Sequence, residues 1–429
     1  MTDSKTKPSG FAGLAAQAKK STARQTNIAK TRQKLQAKQA ARAKNPLPKS
    51  KRVTQPPPSA PPPAVQKATG VSPEVAAELE ADARRLQSSF GRLDKQAELG
   101  DIYDDIGRLE DLFVNLPSRL DQLRTQGFVH SGHLETRIDA LDDEWDDNVR
   151  PRLESQLKTQ LMKLDREINA LEALQSTLTR PSESGIKAFE MKMDTAENAV
   201  TETTRNLQAL YAGIEKGLNE VEAEVRKAEW MMGQLAQSPE IQLLEAEGPL
   251  MAVEAEWERT GDDDKDPDGV LYLTDQRLIF EQNEEKAKKK FLFITTDSEK
   301  VQKLLINEQV RDIVNVKHSE ERRGFSLGKD DLLEIEFGGQ AEVTRAQFHL
   351  KGQDSSDWAA VLKLVRNGEI DELRAEAFVE EMEAAEAATA SIPEQCPSCL
   401  AAIPPQPRGV LSYTCEFCGG VVTAVVADA

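Results

Sequence analysis

Four cysteines come as two pairs, Cys396-Pro397-Ser398-Cys399 and Cys415-Glu416-Phe417-Cys418, with fifteen residues between them. Each CxxC turn presents two sulfurs on one side of a tight knuckle, and two such knuckles complete a tetrahedron. The spacing predicts one zinc ion, Zn2+, held by Cys396, Cys399, Cys415 and Cys418. Four sulfur ligands leave no open position for water or substrate, so the predicted metal is structural. A segment this short has too little core to fold without the ion. Gly419-Gly420 supplies permissive backbone just after the second knuckle. Iron in the same site, or a disulfide pair, is the minor alternative.

Other constellations are weaker. Asp264, Asp266, Asp268 and Gly269 follow the first positions of a calcium loop, and Asp275 falls at the twelfth. Pro267 inside the loop, an Asp where Glu is usual and a strand-like continuation argue for a solvated acidic hairpin instead. His130 and His133 stand near Asp142 and Asp143 in sequence, without thiols to make a metal set. No nucleophile elbow, no Walker loop and no GxGxxG before a helix is present. The chain is therefore expected not to be an enzyme.

The elements that carry these residues follow from composition and period. The 429 residues are 39% hydrophobic, 5% aromatic and 30% charged, which is apolar-poor for one large globule and fits long helices with disorder. Net charge divides sharply. Residues 1–70 hold fifteen Lys or Arg against one acid, Asp3, hence +14; the remainder, with 40 bases and 72 acids, carries −32. A basic arm suggests nucleic acid or an anionic membrane as partner, and a solubilising arm or one folding back on its own acidic rod are the alternatives. Prolines 56–58 and 61–63 make its end an extended spacer. The arm is expected to be disordered, with a weakly amphipathic helix allowed over residues 11–44. That acid-free stretch also keeps a mitochondrial-type presequence open. Neither a transmembrane helix nor a secretory signal is expected. Thiols confined to the last 34 residues fit a reducing compartment.

Residues 73–237 carry apolar residues three and four apart, in runs of about 75–116, 134–178 and 186–235. This is a coiled-coil seam, opened by Ser72-Pro73, interrupted by Asn115 and Pro117, and kinked at Pro151. Short turns make the helices antiparallel neighbours, so a rod of three helices, each about 60–75 Å long, is predicted. Homo-oligomerisation through the same seam stays open.

Residues 248–366 switch to short strands, predicted at 250–257, 270–274, 277–281, 291–295, 310–317, 332–337 and 344–350, followed by an amphipathic helix over 355–367. Gly269-Val270-Leu271-Tyr272-Leu273-Thr274-Asp275-Gln276-Arg277-Leu278-Ile279-Phe280 resembles the early hairpin of the GRAM branch of pleckstrin-homology-like (PH-like) domains. Gln309-Val310-Arg311-Asp312-Ile313 and the helix bearing Trp358 fit the same plan, which covers about a quarter of the chain. The resemblance implies two nearly orthogonal packed sheets capped by that helix, and binding of phosphoinositides or proteins. The acidic residues 260–268 would repel a headgroup; basic character appears only in the next loop, at Lys286, Lys288, Lys289 and Lys290. Protein contact is therefore preferred. Residues 369–391 read as an acidic helical spacer, and residues 394–425 resemble a rubredoxin-knuckle zinc ribbon. With Arg408 its one base, the ribbon is expected to bind protein in preference to nucleic acid.

The expectation is a multidomain α+β chain: arm 1–70, rod 73–237, β-domain 248–366, spacer 369–391 and ribbon 394–425. It would act as a non-enzymatic cytoplasmic scaffold that tethers protein partners. The rival readings are a nucleic-acid-associated factor using the arm, and a peripheral organiser at the inner membrane face using the arm and the GRAM-like domain.

Overall fold

The computed structural model describes residues 33–34, 36–49, 64–68, 70–244, 246–259, 266–291, 294–321, 330–339, 341–376, 378–379, 392–393, 395–403 and 412–424. They divide into two compact units, one from residues 1–118 and 137–222, the other from residues 119–136 and 223–429.

The first unit is helical. Its elements are α1 (residues 36–44), α2 (Pro73–Gln96), α3 (Gly100–Thr125), α4 (His133–Glu144), a π-helical turn (Trp145–Val149), α5 (Arg150–Thr179) and α6 (Glu183–Gln237). Helices α3, α4 and α6 each continue past the unit's limits. Ser72 caps α2 by accepting from the Val75 amide, with Pro73 in the first turn. Contacts along the bundle fix its topology. Arg85 meets Glu190, Tyr211 bonds Asp105, and Arg108 bonds Glu215, at sequence separations of 105, 106 and 107. That near-constant offset means α2 and α3 run parallel to α6. Gln160 faces Thr203 while Arg137 faces Glu220, so α5 and α4 run antiparallel to it. The three runs therefore stack up, down and up, with Phe113, Trp145, Leu157, Phe189 and Leu218 fully buried.

Three details differ from the sequence expectation. The first run is two helices, because the chain turns at residues 97–99, where Leu99 takes a left-handed φ of 58° and is itself buried. Pro117 lies inside α3 and does not end it. The apolar stripe continues on both sides, with Leu116 and Leu120 buried, and that burial outweighs the roughly 3 kcal/mol cost of an interior proline. At Pro151 the helix widens into the π turn just upstream, which makes room for a ring that has no N–H to give.

A fourth difference concerns the arm. Residues 36–44 are helical, and the Tyr103 hydroxyl donates to the Pro48 carbonyl. Farther along, the Gln66 amide donates to the Thr179 carbonyl at 2.9 Å. Basic side chains of α1 find carboxylates on α4, which is the folding-back alternative. Residues 1–32 and 50–63 lie outside the described residues.

In the second unit, seven strands form one antiparallel sheet in the order β4-β3-β2-β1-β7-β6-β5. They are β1 (Pro249–Trp257), β2 (Asp268–Thr274), β3 (Arg277–Phe291), β4 (Ile294–Gln309), β5 (Ile313–Glu321), β6 (Asp330–Phe337) and β7 (Arg345–Leu350). Strand β1 is the hinge, pairing β2 along most of its length and β7 only through Ala255, Glu256 and Trp257. The sheet curls on itself, since Phe280 of β3 reaches Phe348 of β7 with ring centroids 5.3 Å apart. One core gathers Leu271, Phe280, Ile306, Leu333, Phe348 and, from the closing helix α7 (Ser355–Asn367), Trp358 and Leu362. Asp354 caps α7, and Gly368 ends it at φ 74°. A curled antiparallel sheet closed by one helix matches the PH-like plan, with a single seven-stranded sheet in place of the two separate sheets expected.

The β3–β4 hairpin is much longer than predicted: of the expected strand 291–295, Phe291 ends β3 and residues 294–295 begin β4, while residues 292–293 lie outside the described residues. Its outer part is charged, so no apolar alternation marked it. The register instead sets Glu285 opposite Lys300 and Lys286 opposite Glu299, opposite charges in facing positions. Lys286, Lys288, Lys289 and Lys290 thus belong to β3 and not to a loop; their side chains are outside the described residues. Residues 310–312 form a 3-10 turn before β5.

The spacer also starts differently. Residues 369–373 form a 3-10 turn whose Ile370 is buried in the β-domain core. The Ala375 amide donates to the Val129 carbonyl and the Gly132 amide to that of Leu373, while Val129, Ala375 and Phe378 pack together. A Cβ on Gly132 would lie 2.5 Å from the Arg374 carbonyl oxygen, so only glycine allows this approach. Residues 380–391 lie outside the described residues.

Candidate metal centre

The ribbon is built from two copies of one turn. In each, the carbonyl of the leading cysteine accepts from the amide four residues on, Leu400 to Cys396 and Gly419 to Cys415, both at 2.8 Å. The amide of the same cysteine donates to the carbonyl five residues on, Ala401 and Gly420 respectively, both at 2.9 Å. Closing such a turn needs a left-handed residue at the fourth place, and both supply it: Gly419 at φ 68° and Leu400 at φ 60°. The turns are carried by a bridge between Gln395 and Ala402 and by a hairpin of β8 (Ser412–Thr414) with β9 (Val421–Thr423). Cys396, Ile403, Cys415 and Val422 form a small core beneath them.

This scaffold brings all four predicted ligands together. Their sulfurs lie within 4.8 Å of one another, with Cys396 to Cys418 at 3.7 Å and Cys399 to Cys415 at 3.6 Å. A tetrahedron with metal–sulfur bonds of about 2.3 Å has edges of about 3.8 Å, so the set fits a tetrahedral ion. Those separations are far beyond the roughly 2.05 Å of a disulfide, and all four cysteines are free thiols. The four cysteines can bind a metal ion.

Electrostatics suit the same use. Amides of Cys399 and Ser398 hydrogen-bond the Cys396 sulfur and hold its pKa down at about 6. Cys399 also gains from the Ala401 amide, but burial and the neighbouring sulfurs of Cys418, Cys415 and Cys396 push it up to about 12. Four thiolates so close repel one another, and a divalent cation at their centre is what lets all ionise together.

Outside this cluster the charged candidates are otherwise engaged, and among the described residues no second group of three or more His, Cys, Asp or Glu lies close enough to hold a metal. Asp266 accepts from the Arg259 amide at 3.0 Å, and Asp268 pairs with Lys351 at 2.5 Å. Asp275 is buried, accepts from the Gly248 amide at 2.9 Å and lies 3.3 Å from His130 Nε2. Strand β2 separates Asp268 from Asp275 by about 20 Å of extended chain. Asp268 and Asp275, the fifth and twelfth positions of the calcium pattern, therefore cannot share an ion, which speaks against that minor reading. Asp264 lies outside the described residues. His133 pairs with Glu224, and Asp142 and Asp143 bond Lys38, so these residues form no joint metal set.

The ribbon has a further feature that the spacing did not reveal. Leu400, Phe417 and Val421 are 72%, 77% and 68% exposed. Apolar residues inside knuckles, where turn residues are usual, were the available signal.

No protein-family model matches the chain, and no curated protein matches it. Among solved structures it is similar to the Vps36 N-terminal PH domain, at 16% identity over 30% of this chain and 85% of that one, with a TM-score of 0.20. It is also similar to the DH/PH domains of p115-RhoGEF, at 14% identity over 68% of this chain and 95% of that one, TM-score 0.19. A third is the complex of the PDZ-RhoGEF DH/PH domains with activated RhoA, at 12% identity over 69% and 98%, TM-score 0.22. At such values the strand order and core described above carry the fold, and the likeness adds no argument. Among the described residues no helix is long and apolar enough to cross a membrane.

Proposed function

We propose that this chain is a non-enzymatic cytoplasmic adaptor whose zinc-pinned ribbon contacts a protein partner, with the PH-like domain and the helical bundle supplying further contacts. The observation that carries the reading is the ribbon surface. Leu400, Phe417 and Val421 stand exposed on a module of only some thirty residues whose core is four side chains. Leu400 keeps that exposure while held in a left-handed backbone that disfavours any side chain. Exposed apolar groups on a rigid, metal-stapled turn are suited to burial by a partner. A metal closed by four sulfurs supplies rigidity and offers no open coordination position for chemistry. Zn2+ suits the donor set best, as four thiolates in a tetrahedron are its usual structural arrangement.

The test is quantitative capture from lysate with the full chain and with a variant carrying Leu400→Ser, Phe417→Ser and Val421→Ser. Bound zinc would be measured in both, to establish that the ribbon stays folded. Proteins retained by the wild type and lost from the zinc-replete variant support the adaptor reading. Identical capture by both places the contacts elsewhere and removes the ribbon from the proposal.

A further inference from the structure

Within the first unit, two charged stripes face each other. Lys34, Lys38 and Arg42 recur every four residues, so they share one face of a helix. Asp139, Asp142, Asp143 and Asp146 recur three or four apart along α4 and the π turn, and share a face as well. The stripes mesh in step. Lys34 lies 3.9 Å from Asp139 and from Asp143; Lys38 lies 2.5 Å from Asp142, 2.8 Å from Asp143 and 3.6 Å from Asp146; Arg42 bonds Asp146 at 2.9 Å and also Asp142. Asp142 and the Arg42 side chain are almost wholly buried, and the Arg42 guanidinium lies 5.2 Å above the Phe113 ring. Arg150 holds the segment's end, donating to the carbonyls of Asn45 at 2.6 Å and Arg42 at 3.3 Å.

We propose that this contact is autoinhibitory: the acidic stripe holds Lys34, Lys38 and Arg42 as an intramolecular substitute for the phosphates of a nucleic acid, and the basic N-terminal segment binds nucleic acid fully only when released. Cations taken up by aspartates cannot also displace the counterions of a polynucleotide. Nucleic acid is favoured over an anionic membrane by the segment's other residues. Over 33–44 they are Gln33, Gln36, Gln39, Lys44 and alanines, with Leu35 the single bulky apolar side chain, too little to enter a bilayer interface. The inference stands apart from the adaptor reading, since it concerns residues 33–49 and not the ribbon.

The experiment compares the full chain with a released variant, Asp142→Asn, Asp143→Asn and Asp146→Asn, against a labelled mixed-sequence DNA duplex over a salt series. Each cation freed adds about 0.9 to the slope of log affinity against log salt, so the variant's slope steepens by about 2.7. Its advantage over wild type then shrinks about fortyfold between about 50 and 200 mM salt. Trypsin should cut after Lys38 and Arg42 in the variant and spare both in the wild type. Adding Lys34→Ala, Lys38→Ala and Arg42→Ala should abolish the variant's gain yet leave the otherwise wild-type chain's binding unchanged, which separates release from general charge. Helical circular dichroism matched to wild type shows the bundle intact; if it is lost, the same salt series on Arg150→Ala, which removes the two carbonyl contacts and a pair with Glu110 but leaves the aspartates in place, is used instead. An unchanged slope with tryptic sites opened overturns the proposal. So does a gain on phosphatidylserine vesicles without one on DNA.

Discussion

Two adjacent glycines of the second knuckle offer a test of why the metal centre closes. Gly419 sits at φ 68°, and a Cβ placed there would meet nothing within 4 Å. Gly419→Ala therefore changes the backbone alone. Forcing an L-residue into the left-handed region costs about 1–2 kcal/mol. Alanine returns about 0.4–1 kcal/mol by stiffening the unfolded chain. The net loss is about 0.5–1 kcal/mol. Because ribbon folding and metal binding are one equilibrium, that loss appears as zinc affinity weakened about two- to fivefold, at 1.4 kcal/mol per factor of ten. Gly420 lacks a left-handed φ, and its Cβ would rest 3.4 Å from the Cys418 sulfur and 3.6 Å from the Ser398 hydroxyl, ordinary contact distances. Gly420→Ala gains the entropy without the strain, so its zinc affinity should equal or exceed that of wild type. The assay is competition with a chromophoric chelator under reducing conditions. Equal effects at the two positions, or the reverse order, would refute the backbone argument.

Other perturbations test the rest of the molecule. Gly269→Ala places a Cβ 2.0 Å from the Glu281 carbonyl oxygen across the β2–β3 ladder, and should cost about 3 kcal/mol or more in urea unfolding of the β-domain. Phe280→Ala empties the centre of the ring cluster formed with Trp257 and Phe348, with an expected loss of about 3–5 kcal/mol by the same measurement. A hydrogen bond from Lys38 and its charge hold the pKa of Asp143 below the ordinary value of 3.8. A carboxylate so depressed stabilises the contact above that value and ceases to as pH falls through its lower folded pKa. Amide exchange over residues 36–44 should consequently quicken, after correction for intrinsic rates, only below about pH 4.

Much of the fold could be read directly from residue types. Ser72-Pro73 announced α2, three apolar runs announced three stacked helical passes, and α7 spans the residues its amphipathic pattern assigned. The four-cysteine cluster was equally legible, because a CxxC pair is local chemistry: the chain between its cysteines is too short to do anything but turn. What escaped was decided by partners distant in sequence. Pro117 sits mid-helix because buried neighbours repay its cost, while the charged half of the β3–β4 hairpin is a strand set by a register that places Glu285 opposite Lys300 and Lys286 opposite Glu299. Neither cause has a period that a window can detect.

The same division holds for the charged residues. Sequence alone determined that residues 1–70 are basic, that the rest is acidic, and that four thiols are spaced to hold one ion. It could not say that Lys38 lies against Asp142, 104 residues away, or that Asp275 is pinned by the Gly248 amide and lies beside His130. Coulomb attraction depends on distance in space, and only tertiary structure sets that distance. Thiol pairs carry their geometry with them along the chain, whereas a salt bridge between helices acquires its geometry when the helices pack.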